Sequence, residues 1–94
     1  MKFISLKESN RKGKRYVIVL DEPKRTLHFG SDVGSTYIDH GDKTKRENYL
    51  KRHMVNEDWD SVNPGSLSKF LLWGKSKSLK RNLAEYLERF NIAE

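Results

Sequence analysis

Apolar residues in the first third of the chain fall in short extended runs, and in the last third they recur at spacings of three and four. Phe3–Leu6 is a short apolar start. Tyr16-Val17-Ile18-Val19-Leu20 is a β-branched and aromatic run bounded by Gly13 and by Asp21-Glu22-Pro23, so both segments read as strands. Ser9-Asn10-Arg11-Lys12-Gly13-Lys14 carries turn chemistry between them and predicts an antiparallel hairpin with a basic tip. After a second turn at Asp21–Lys24, Arg25-Thr26-Leu27-His28-Phe29-Gly30 alternates polar and apolar, as a half-buried strand does. Ser31–Ser35 breaks the chain, and Thr36–Asp39 is expected as a fourth extended piece.

From Gly41-Asp42 the period changes. Asp42 is placed as the N-cap of a helix from Lys43 to about Met54, with Arg46, Tyr49, Leu50, His53 and Met54 on one side. That face is only partly apolar, which puts the helix at the edge of the core. Asn63 as N-cap and Pro64 at the first helical position open a second helix carrying Leu67, Phe70, Leu71 and Trp73, closed by Gly74. Ser78 caps a third, with Leu79, Leu83, Tyr86, Leu87 and Phe90 as its apolar stripe. The expected fold is α+β, a single domain over residues 1–94. A small antiparallel β-meander of three to four strands (residues 1–40) is followed by three short helices (residues 41–94) packed on one face. Leu67, Phe70, Leu71, Leu83, Leu87 and Phe90 are expected to meet either the Val17–Val19 face or the Tyr16–Ile18 face of the meander; periodicity does not choose between them.

With 35% hydrophobic and 34% charged residues in 94, and a mean hydropathy of −0.86, the core must be thin, and a partner or assembly is expected to add stability. The chain has no cysteine, which removes disulfides, thiolate catalysis and cysteine-based zinc sites together. No apolar run approaches the length of a membrane span, and Met1–Leu6 is too short for a signal peptide. A soluble protein made in the cytoplasm of its host cell is expected.

The net charge of +6 favours polyanions or acidic protein surfaces as neighbours. Three segments concentrate it: Lys7 with Arg11, Lys12, Lys14 and Arg15; Lys43, Lys45, Arg46, Lys51 and Arg52; and Lys75, Lys77, Lys80 and Arg81. For nucleic acid, the candidate contacts are Arg11, Lys12, Lys14 and Arg15 at the hairpin tip, with Lys43, Lys45 and Arg46. An ordinary solvated loop is the competing reading of the tip.

Asp39, His40, Asp42 and His53 have side chains that ligate divalent ions, but their spacing matches no established ligand pattern, and Asp42 is expected as a cap. No metal and no cofactor are therefore expected. Ser66 and Ser68 have no histidine at a recognisable distance, and Gly30, Gly34 and Gly41 form no phosphate-cradling loop. A non-enzymatic protein without a small-molecule substrate is expected. Tyr37, Tyr49, Trp59, Phe70 and Trp73 could stack on bases, yet a chain with so few large residues needs Phe70 and Trp73 for its core. Trp59, set among acids, is balanced between core and contact, and Trp59 and Trp73 are the candidates for partner binding.

The run Thr36–His40, Lys45–His53, Glu57-Asp58-Trp59, Asn63–Gly74 and Ser78-Leu79 resembles a small family of uncharacterised basic proteins of large double-stranded DNA viruses of algae and protists and of some marine phages. The resemblance covers roughly the C-terminal two-thirds and not the N-terminal hairpins. It implies a viral origin and no assigned catalysis. The leading expectation is a minor capsid or internal virion protein acting through contacts with other viral structural proteins. The alternative is sequence-independent nucleic-acid binding.

Overall fold

The computed structural model describes residues 1–94. Strands β1 (Lys2–Glu8), β2 (Lys14–Asp21) and β3 (Arg25–Ser31) form an antiparallel sheet in the order β1-β2-β3. The expected α+β meander with helices following is thus present, with three strands. Tyr16 pairs with Phe29 and Ile18 with Leu27 across β2 and β3, while Leu6 pairs with Ile18 and Phe3 with Leu20 across β1 and β2. This register places Ile18, Leu20 and Phe29 in the core with no exposure and leaves Val17 and Val19 half-buried. The Tyr16–Ile18 face is therefore the inward one. The outer edge of β1 is closed by the C-terminus: Phe3 donates to the carbonyl of Ala93 and Ala93 donates to Met1, at 2.6 and 2.9 Å, which covers strand hydrogen-bonding groups that would otherwise invite another chain.

The fourth extended piece expected at Thr36–Asp39 is instead a helical turn, α1 (Tyr37–His40). The Thr-Tyr-Ile run favours a strand by propensity, but the Asp39 carboxylate reaches back to the Thr36 amide at 2.7 Å and to its hydroxyl at 3.0 Å. That local capping closes the turn against the β preference of the individual residues. Helix α2 (Lys43–Met54) begins at Asp42, whose side chain accepts from the amides of Thr44 and Lys45. It lies at the margin, with Tyr49 as its buried residue.

Asn63 caps α3 (Pro64–Leu67) by accepting from the Ser66 amide at 2.9 Å, and the Ser66 hydroxyl receives the Asn63 amide in return. The same hydroxyl meets the Tyr86 phenol at 2.8 Å in a buried bond. Without a break α3 continues into a π-helical turn, Ser68–Leu72, in which the Trp73 amide bonds back to Ser68 at 3.1 Å. Helix α4 (Leu79–Arg89) follows its Ser78 cap. Leu67, Leu71 and Leu72 from this segment, Tyr86 and Leu87 from α4, and Ile92 complete the core; Phe70, Trp73, Leu83 and Phe90 pack around it partly buried. Gly30 lets the sheet come this close, since a Cβ there would lie 2.7 Å from Leu72 Cδ1.

Leu71 has no exposure and Leu83 keeps some. Leu71→Ala should cost about 2–5 kcal/mol and Leu83→Ala clearly less. Equal losses in thermal or urea melts would place the core elsewhere. Asn63→Ala should lower stability by about 0.5–2 kcal/mol; an unchanged melt would mean that the Ser66–Tyr86 bond holds the helix start without the cap.

Candidate functional site

The charged hairpin tip is more constrained and less basic than its sequence. Ser9 and His28 share a 2.7 Å hydrogen bond, and the Gly13 amide donates to Asp32 at 3.1 Å, with Gly13 at φ +86°. Arg11, Lys12 and Lys14 are exposed, but the shallow hollow they line also holds Glu8, Asp32 and Asp39. Arg15 faces Asp39 in a two-pronged ion pair, both arms at 2.7 Å, and donates to the Thr36 hydroxyl at 3.1 Å. The structure thus uses Arg15 to lock β2 onto α1. The Arg15 guanidinium holds the Asp39 carboxyl well below the usual carboxylate range, helped by the Thr36 hydrogen bonds.

Arg46 likewise turns inward. Its Nε donates to the carbonyls of Trp73 and Gly74 at 3.0 and 3.1 Å, satisfying acceptors at a helix C-terminus, where a cation is favoured. Its guanidinium also lies 5.8 Å from the Tyr37 ring centre. Behind it runs an aromatic column: Trp73 stacks on Tyr49 at 4.4 Å and 5°, Tyr49 stacks on His53 at 4.2 Å, and His40 meets the Trp73 ring at 5.5 Å. Burial, and then the Glu57 carboxylate, raise the Tyr49 phenol's pKa, so its hydroxyl stays neutral. Trp73 is therefore a packed residue with one side toward solvent cavities. Trp59 donates from its indole to Glu57 at 2.9 Å, and the Lys69 ammonium lies 4.6 Å from its ring. Both candidate partner residues already have partners within the chain.

The other face of α2 is different. Lys45, Asn48, Lys51 and Arg52 follow one another at helical spacing and, with Ser35, His40 and Trp73, line a groove of about 650 Å³ that contains no carboxylate. His40 Nδ1 accepts the Asp42 amide at 2.8 Å, and its Nε2 is enclosed without a hydrogen-bond partner. Lys43 and Lys45 are exposed as expected. Lys51 and Arg52 belong to the same basic segment of the sequence, and the spacing from Lys45 through Asn48 to Arg52 groups them on one face. The four residues weighed as metal ligands do not converge: Asp39 holds Arg15, Asp42 caps α2, and His53 pairs with Glu57 at 3.2 Å.

A family model matches residues 4–53, more than half of the chain; its description is a family of unknown function, DUF5754. The chain belongs to DUF5754. The DUF5754 region takes in all of the meander but the first two residues of β1, together with α1 and nearly all of α2, including the hairpins that lie outside the viral resemblance. Every groove residue except Trp73 falls inside it. No curated protein and no solved structure matches the chain. No helix is long and apolar enough to cross a membrane.

The Arg15–Asp39 pair makes a specific pH dependence. Because the folded carboxyl titrates below its ordinary value, its stabilisation is present above about pH 4 and is lost as the pH falls below that. Asp39→Asn should be less stable than wild type near neutrality, with the gap closing under acid in urea melts from about pH 6 to 2. A gap constant across that range would mean the pair does not hold α1 to the sheet.

Proposed function

We propose that this protein acts by binding nucleic acid without sequence preference, through the groove across the outer face of α2, and that it carries no catalysis. The observation that supports this most is the concentration of Lys45, Lys51 and Arg52 in a concave surface free of carboxylates, whereas the hairpin tip sets three carboxylates among its cations. Phosphate contacts of this kind give affinity without base readout. Trp73 at the groove wall already has one face stacked on Tyr49 and meets His40 at a steep angle, which argues for backbone tracking over base stacking.

A second reading keeps the protein–protein role of a virion component. Met54 and Val55, 62% and 76% exposed at the end of α2, and Val33 at 77%, are apolar side chains that a partner would cover. Under either reading, the viral resemblance proposes an infected cell or particle as the setting. Mass spectrometry of purified particles would support the second reading if the protein is present, and its absence would remove that reading.

The groove is tested by fluorescence anisotropy on labelled DNA and RNA at about 50 and 200 mM salt. Wild type should bind at low salt and weaken steeply with added salt, and the triple variant Lys45→Gln/Lys51→Gln/Arg52→Gln should flatten the salt slope by about 2–3. Lys12→Gln/Lys14→Gln should cost less. Absence of binding at low salt, or a greater loss from the hairpin variant, would overturn the proposal.

A further inference from the structure

We infer that the hollow between the π turn and α4 is a binding site for a phosphomonoester, held by Lys69, Arg89 and Arg46. The inference does not depend on the α2 groove, with which the hollow shares only Trp73. Its volume is about 440 Å³, within the range of small-molecule sites. Arg46 and Lys69 are half-buried in its wall, while Lys75 and Arg89 stand exposed at the rim with Glu85 and Glu88.

None of these four cations is in an ion pair; the ion pairs of the structure are Arg15–Asp39 and His53–Glu57. Glu85 and Glu88 line the hollow too, but neither is within ion-pair distance of these cations, which outnumber them four to two. Two of the cations crowd one ring, with Lys69 Nζ 4.0 Å and Arg89 Cζ 4.4 Å from the Phe70 centre. Cation–π attraction holds each of them there, but it cancels no charge. Burial, followed by repulsion from Arg89 and Arg46 and only partly offset by Asp60, pulls the Lys69 pKa down. A bound anion would relieve that repulsion.

The backbone beneath is specialised. The π turn inserts a residue between α3 and Trp73 and carries both Lys69 and Phe70; turns of this kind occur frequently at functional sites. Gly74 at its end admits no side chain, because a Cβ would lie 2.2 Å from the Phe70 carbonyl oxygen. Arg46, held through Nε by two carbonyls, keeps its terminal nitrogens for a ligand. A monoester fits better than a backbone diester, since it approaches two negative charges at neutral pH and presents three terminal oxygens. Phe70, Trp73 and Tyr86 supply an apolar wall for whatever carries the phosphate. Two sources share this chemistry: a free nucleotide and the 5′ end of a strand.

The test is an NMR titration of the full chain, following the Lys69 and Phe70 resonances, with inorganic phosphate, AMP, and two oligonucleotides that differ only in a 5′-phosphate or 5′-hydroxyl. Saturable shifts are expected, weakened about tenfold in Lys69→Gln and in the exposed-site variant Arg89→Gln. A preference for the 5′-phosphorylated strand identifies a strand end as the ligand; tighter binding of AMP than of phosphate without that preference identifies a nucleotide. With inorganic phosphate and AMP, which do not need the α2 groove, Lys45→Gln/Lys51→Gln should leave the shifts intact, which separates the hollow from the groove. Overturning results are the absence of saturable shifts with every phosphate-bearing probe, undiminished binding in both variants of the hollow, or loss of the phosphate and AMP shifts in the groove variant.

Discussion

The helical half of this protein hangs on the carbonyl groups at the end of one helix. The π turn delivers Leu71, Leu72 and Trp73 to their places and leaves the final carbonyls without partners in their own helix. Asn82 of α4, 1% exposed, donates to the Leu71 carbonyl at 3.0 Å and to Ser76 at 2.7 Å, and accepts from the Ser76 amide. Arg46 of α2 donates to Trp73 and Gly74. An unsatisfied buried carbonyl costs on the order of 1–3 kcal/mol, a large share of the stability of a domain this small. Two helices distant in sequence are thereby fixed to one point, and Gly74 lets α4 approach it, since a Cβ there would lie 2.9 Å from Asn82 Cγ.

That arrangement answers the thin core. Nine side chains form the central cluster, too few for apolar burial alone to set the position of α2, which contributes none of them. Polar bonds take over: Arg46 at one end of α2, the Tyr49–Trp73 stack in its middle, and Arg15 with Asp39 tying the preceding turn to the sheet. The net positive charge is then divided unequally. Cations that serve the fold face inward, and those of the hairpin lie among carboxylates. The outer face of α2 and the hollow beside α4 retain unpaired charge. Surfaces of that kind attract polyanions.

The sequence pattern disclosed the strands, the caps at Asp42, Asn63 and Ser78, and the helical stripes, because each depends on neighbours a few residues apart. It misplaced Thr36–Asp39, where β-branched and aromatic propensity pointed to a strand while a threonine and an aspartate three residues apart formed a cap. Arg15 and Arg46 looked like surface cations, since nothing local reveals that Asp39 or the Trp73 carbonyl would meet them across 24 and 27 residues. The π turn was equally invisible, as Ser68–Leu72 has ordinary helical composition. Lys51 and Arg52 were legible through their spacing with Lys45 on α2; the groove depended on a loop, a histidine and a tryptophan brought in from elsewhere.

The central claim is that the binding surface lies along the outer face of α2 and not at the hairpin. Chemical-shift mapping of the isotopically labelled protein with a short oligonucleotide tests this directly. The account predicts perturbations at Ser35, His40, Lys45, Asn48, Lys51 and Arg52 and at the Trp73 indole. Perturbations confined to Arg11–Arg15, or none at saturating oligonucleotide, would contradict it.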